Sequence, residues 1–347
     1  MVPVLVERAA VRHPGSGPSH TSCAGQWEVN KSKKEQVADV RVKVLQYCRQ
    51  TDNSDMSRFC HDRVRRAIVE RVQPTTEPPI PVDLDAAHAL GVTDASGTLH
   101  TQGEPRRIFD LASVSKPLAA LGVLVAVERG LVDLDEPAGP EGATVRHLLA
   151  HTAGYPFEGE ETVGAVGARR IYSNTGFEVL AAHVEEATGH DFPDWMEQTV
   201  VQGLDLVDLE VDGSPAAGYR STVDDLLVIG RELLTPTLLS AELHAEMTAV
   251  QYPGLSGLLP GYGRQKPNDW GLGVEIRDGK DPHWTGAHSS PRTFGHFGQA
   301  GSFLWVDPEA GLACAFLGEE RFGPEHVRIW PGITDEVLAR FAGRSRG

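Results

Sequence analysis

Apolar and polar positions follow three different rhythms along this chain, and the changes of rhythm mark its organisation. Residues 58–72 place their apolar side chains at helical spacing. Beyond a proline-rich hinge at 75–81, residues 86–93 and 98–100 flank the turn signal Asp94-Ala-Ser-Gly97 and predict a β-hairpin. A helix that starts near Ser113 continues as a nearly all-apolar run from 119 to 129, which predicts that it is buried and stops at Gly130. The middle of the chain is helical in rhythm. Thr144 is placed to cap a helix over 145–150, another runs 175–188 and ends at Gly189, a third covers 192–201, and Ser221 or Thr222 opens a fourth that reaches 234. Near Trp270 the rhythm shifts to short strands at 270–277, 294–299, 301–306 and 312–317, and an amphipathic helix closes the chain at 325–341. No internal repeat at a fixed period is present.

Early strands, a helical middle and late strands predict an α/β (α+β) fold in which one antiparallel sheet, flanked by helices, is built from both ends of the chain. The expected body spans 56–345, with sheet parts at about 56–112 and 262–345 and an inserted, mostly helical subdomain at about 130–261. The seam between those parts is a favourable place for a small-molecule cleft.

Charge separates the first part of the chain from this body. The net charge is −16, yet residues 1–72 hold 13 Lys and Arg against 8 Asp and Glu. Residues 1–55 read as a basic, disordered extension, or as an extended reading frame ahead of Met56. The acidic body repels phosphate backbones, so no nucleic-acid partner is expected. No apolar stretch approaches the length of a membrane span, and the first residues break into charge too early for a signal peptide, so the expected setting is cytoplasmic, with no membrane partner. Cys23, Cys48, Cys60 and Cys314 have no C-x-x-C spacing and predict free thiols.

The chemistry is concentrated at Ser113 and Lys116. Their S-x-x-K spacing puts both side chains on one helical face, where a lysine amine can take the serine proton if burial lowers its pKa. A position at a helix N-terminus adds N–H groups and partial positive charge that favour an oxyanion. Three further segments follow in order: Val145-Arg-His-Leu-Leu-Ala-His151-Thr-Ala-Gly154, Tyr172-Ser173-Asn174, and Gly295-His296-Phe297-Gly298-Gln299. With Ala112-Ser113-Val-Ser-Lys116-Pro, they make the chain resemble the penicillin-binding-protein-like serine hydrolases, the superfamily of class C β-lactamases, DD-peptidases and related esterases, over roughly 60–345.

That resemblance implies a β-lactamase/transpeptidase-like fold and an acyl-enzyme on Ser113, with Lys116 and Tyr172 sharing the proton transfers; which of the two is the base stays open. Asn174 can both donate and accept, which suits it to hold Lys116 and a substrate ester or amide. The resemblance places the oxyanion hole at the backbone amides of Ser113 and Gln299. Gly298 would let substrate lie against the strand. His296 would face the cleft where the family often has lysine, offering a hydrogen bond and a partial positive charge near pH 7. His151 is expected to be structural. His283, His288 and His296 match no metal-ligand spacing, so neither metal nor cofactor is expected. The partner is a small-molecule substrate: a small carboxylic ester first, a β-lactam or D-amino-acid peptide as the alternative. A non-catalytic scaffold is the rival of another class.

Overall fold

The computed structural model describes residues 77–343. The segment 58–72, the basic extension and Cys23, Cys48 and Cys60 lie outside the described residues. A six-stranded, wholly antiparallel sheet is ordered β2-β1-β10-β9-β8-β7. Its strands are β1 His88–Asp94, β2 Gly97–Gly103, β7 Glu275–Ile276, β8 Phe294–Gly298, β9 Ser302–Asp307 and β10 Leu312–Gly318. Early and late strands meet where β1 pairs with β10, His88 opposite Gly318, so the sheet is closed by both ends of the described chain, as the change of rhythm predicts.

Both faces of the sheet are buried, and the period-2 alternation of the strands explains how. Along β10, Ala313, Ala315 and Leu317 enter one core while Leu312, Cys314 and Phe316 enter the other. The first core lies under α1 Ser115–Glu128, α2 Val145–Leu149, α3 Thr175–Thr188, α4 Phe192–Met196 with the π turn Glu197–Val201, and α5 Val223–Leu234. After α6 Ala241–Met247 and the hairpin β5 Gly257–Leu259 with β6 Gly263–Gln265, the second core is covered by α7 Pro324–Phe341, whose Trp330 and Phe341 are fully buried. The Cys314 thiol sits in that second core. Among the described residues no helix is long and apolar enough to cross a membrane.

Local rules place several helix boundaries where the sequence puts them, although the helix expected over 192–201 is α-helical only to Met196 and continues as a π turn. Thr144 and Thr222 accept hydrogen bonds from His147 N–H and Asp225 N–H, and α3 stops at Gly189 in the left-handed region. The expected strand over 270–277 is corrected to the two residues of β7. Trp270-Gly-Leu-Gly273 is a tight turn closed by Gly271 N–H on Val274 O, and Gly273, at φ 81°, backs onto Ala120 of α1, where a Cβ would sit 2.3 Å from its methyl. The turn carries Trp270 to the cleft.

Candidate active site

The short strand pair β3 Phe109–Asp110 with β4 Arg220–Ser221 leads the chain into a 3-10 turn, Ala112–Val114, ahead of α1. Ala112 has φ 45°, a conformation disfavoured for a residue with a Cβ, and it directs Ser113 out of the turn into the cleft. The helix therefore begins two residues later than Ser113, and Pro117 falls in its first turn, where no intrahelical N–H is needed. Ser115 Oγ accepts the Tyr219 N–H at 3.0 Å, while Leu111 N–H donates to Tyr219 O at 3.0 Å. These bonds hold the segment around Ala216 against the start of α1.

Lys116 is fully buried one turn beyond Ser113. Its Nζ donates to Asn174 Oδ1 at 2.7 Å and to Ala216 O at 2.8 Å, and it stands 3.4 Å from Ser113 Oγ. Burial lowers its pKa from the ordinary lysine value to about 7, against a weaker upward pull from Glu178. A neutral amine has two N–H groups and one lone pair. With both N–H groups taken by carbonyl oxygens, the lone pair is left for the Ser113 hydroxyl.

Tyr172 is brought over Lys116, whose Nζ lies 4.6 Å from the ring centroid. Burial pushes its phenol pKa well up, and the nearby Ser113 hydroxyl pulls it only weakly back without completing hydrogen-bond geometry. The resting phenol is therefore neutral. Behind it, His151, at φ 56°, accepts the Ser173 N–H on Nδ1 at 3.2 Å and packs its ring 4.7 Å from that of Tyr172. The structural role expected for His151 is that of holding the Tyr172 segment. Arg170 completes the support. Its buried guanidinium donates to Ala150 O, Gln251 O and Asn268 O, tying together the loops around the tyrosine.

Asn174 precedes α3 but makes no side-chain cap; Ser173 Oγ accepts the Gly176 N–H instead, which frees the Asn174 amide for Lys116. Gly298, at the end of β8, lies so close to the nucleophile turn that a Cβ there would be 2.3 Å from Leu111 O and 3.1 Å from Ser113 N. Gln299 follows in the turn beyond it and lines the cleft together with Ser113.

His296 also faces the cleft, but without the expected partial charge. Burial, aided by Lys116, holds its pKa at about 3, and its Nδ1 donates to Phe297 O at 2.6 Å. What remains is a neutral imidazole with its proton committed. His283 and His288 are elsewhere: His283 Nε2 bonds Glu275 at 2.9 Å, and the exposed His288 meets Asp335. Among the described residues no group of side chains could hold a metal ion.

Ser113, Tyr172, His296 and Gln299 share one cavity of about 440 Å³. Sequence reasoning passed over several of its walls, namely Phe157, Leu259, Pro260, Trp270, Glu275 and Arg321. Glu275 is paired with Lys280 at 2.5 Å and accepts from Trp284 Nε1 at 2.9 Å. Burial would raise its pKa, but His283 and Lys280 hold it below the ordinary range.

Comparison with known proteins agrees with this architecture. A β-lactamase from Mycobacterium bovis superimposes with a TM-score of 0.74 at 50% identity, over 75% of this chain and 96% of that one. EstCE1, a hydrolase with promiscuous acyltransferase activity, matches with a TM-score of 0.60 over 73% of this chain and 94% of that one, and at 18% identity the likeness is one of fold. Penicillin-binding protein 4* of Bacillus subtilis is 29% identical over 126 residues, and the match spans only 28% of that protein. The family model for Beta-lactamase covers residues 83–337, and with a six-stranded antiparallel sheet flanked by helices beneath it, the chain belongs to the β-lactamase family of serine hydrolases.

Proposed function

We propose that the protein hydrolyses small carboxylic esters through an acyl-enzyme on Ser113. The observation that carries this reading is the buried Lys116 amine, its two N–H groups spent on Asn174 and Ala216 and its pKa near 7, beside Ser113 Oγ. Lys116 takes the Ser113 proton as Oγ attacks the carbonyl carbon. The amides of Ser113 and Gln299 receive the oxyanion. Collapse breaks the bond to the leaving alcohol, which takes the proton back by way of neutral Tyr172. Water then adds to the acyl carbon, and the acid departs as Ser113 recovers its proton.

The preference for esters follows from His296. A neutral imidazole whose proton is committed to Phe297 O gives a substrate carboxylate no cation, and a charge-assisted hydrogen bond is worth roughly 1 kcal/mol more than a neutral one. Cleavage of β-lactams is the second reading, favoured by the 50% identity to the protein from M. bovis that is described as a β-lactamase. A short-chain nitrophenyl ester and a chromogenic cephalosporin, each measured at pH 7.5, separate the two. The ester is expected to have the higher kcat/KM, and His296→Lys, checked for folding by circular dichroism, to narrow the gap about fivefold. A wild-type enzyme that prefers the cephalosporin would promote the β-lactam reading.

A second test concerns the oxyanion hole. Gly298→Ala forces β8 away from Leu111 O and with it moves Gln299 relative to Ser113. A displacement of about 1 Å at reacting groups costs about 100-fold, so kcat/KM for the ester is expected to fall by roughly that factor with far-ultraviolet circular dichroism unchanged. Wild-type turnover in this variant would remove Gln299 from the hole.

A further inference from the structure

Resting on the acyl-enzyme reading, we propose that the cavity beside Ser113 holds an apolar acyl chain of about four carbons or more, and that Phe157 sets this preference. The cavity, about 440 Å³, has a volume typical of drug-sized ligand sites and far exceeds what an acetyl group needs. Its floor is buried and its rim is open: Trp270 and Glu275 are each 2% exposed, whereas Phe157 is 51% exposed. A leaving alcohol must depart to solvent, and the water that replaces it must enter by the same route. The enclosed part of the cavity is thus left for the group that stays on Ser113.

The chemistry of the walls selects an apolar group. Phe157, Leu259, Pro260 and Trp270 contribute carbon surface from three separate segments. On the floor Glu275 is engaged by Lys280 and Trp284, and His296 Nδ1 by Phe297 O. Trp270 Nε1 and His296 Nε2 are buried without a partner among the described residues but carry no charge, and Arg321, the cation among the lining residues, is exposed to solvent. The buried floor thus offers no cation to a carboxylate at the chain's far end.

Phe157 is suited to set selectivity because the fold does not depend on its side chain. Its carbonyl accepts the Asn174 N–H at 2.8 Å, which pins its backbone to the Tyr172-Ser173-Asn174 segment. Its ring stacks over Tyr172 at 6.0 Å between centroids, with 22° between planes, and belongs to neither hydrophobic core. The side chain thus roofs the acyl position next to the tyrosine.

Nitrophenyl esters of acetate, butyrate, hexanoate and octanoate test this, with the leaving group held constant. Each methylene moved from water into an apolar site favours binding about three- to fourfold, so kcat/KM is expected to rise at least tenfold from acetate to hexanoate. The nitrophenyl monoester of succinate is expected to react at least tenfold more slowly than the butyrate. In Phe157→Ala the ratio of hexanoate to acetate should drop about tenfold. A flat or falling series, a succinate ester as fast as butyrate, or a ratio untouched by Phe157→Ala would overturn the proposal. These outcomes differ from failure of the hydrolase reading, which would appear as no acetate turnover and no fluorophosphonate label on Ser113.

Discussion

Replacing Ser113 by alanine is expected to abolish covalent labelling by a fluorophosphonate and to lower kcat for any ester by at least about 10⁴-fold, the scale on which loss of a catalytic nucleophile is felt. The effect should be purely chemical. Ser113 is 8% exposed, its hydroxyl stands 3.4 Å from Lys116 Nζ, and its removal adds no atom to the turn made by Ala112–Val114. The melting temperature should therefore stay within about 2 °C of wild type. Intact mass after labelling and initial rates on a nitrophenyl ester decide the matter together. A label that persists in Ser113→Ala would mean that another side chain reacts, and retained turnover would mean that the cavity hydrolyses esters without an acyl-serine. Either result would end the mechanism proposed above.

The parts of this site that are legible in sequence are those whose chemistry depends on a side chain at a fixed spacing. Ser113 and Lys116 are one helical turn apart, Tyr172 and Asn174 flank a serine, and His296 and Gly298 alternate on a strand, so each pattern survives as a short string. The walls do not. Ala216 contributes a carbonyl, which every residue has, and nothing in its identity marks it as the acceptor that fixes Lys116. Trp270 reaches the cleft because a glycine turn replaces a strand, and apolar runs around Gly271 and Gly273 read as strand until the contact with Ala120 is seen. Phe157 sits in a Gly- and Glu-rich loop with no period at all.

The fold divides along the same line. Caps and stops are local chemistry, so Thr144, Thr222 and Gly189 mark their helices directly. The hairpin β5–β6 has strands of three residues each, too short for any alternation to register. Glu275 is the clearest case of tertiary context outweighing sequence. A carboxylate on a two-residue edge strand has no motif around it, yet Lys280, His283 and Trp284, all within nine positions, fold back to bury it against the cavity. Such a polar cluster is tolerated in the interior because its charges and hydrogen bonds are matched within it.

Lys116→Met should separate what the lysine does for chemistry from what it costs the fold. For chemistry, the unprotonated amine is the reactive form. With the Lys116 pKa near 7, wild-type kcat/KM is expected to rise with pH, reach half its plateau near pH 7, and level by pH 9. Lys116→Met should lie at least about 10³-fold below that plateau at every pH. A profile still climbing at pH 10 would transfer the role of base to Tyr172, whose phenol burial holds well above its ordinary value. For stability the sign is opposite to that of a salt-bridged lysine. The folded protein binds the Lys116 proton more weakly than the unfolded chain does, so the penalty is full below pH 7 and fades as pH rises toward the unfolded value of 10.5. Between pH 6.5 and 9 wild type should gain roughly 2 kcal/mol on Lys116→Met, or about 5 °C in relative melting temperature. Comparing the difference at the two pH values cancels the constant cost of leaving Asn174 Oδ1 and Ala216 O without their donor. A difference that does not move with pH would mean that Lys116 carries its charge in the folded state throughout, and a buried ammonium with no lone pair could not take the proton of Ser113.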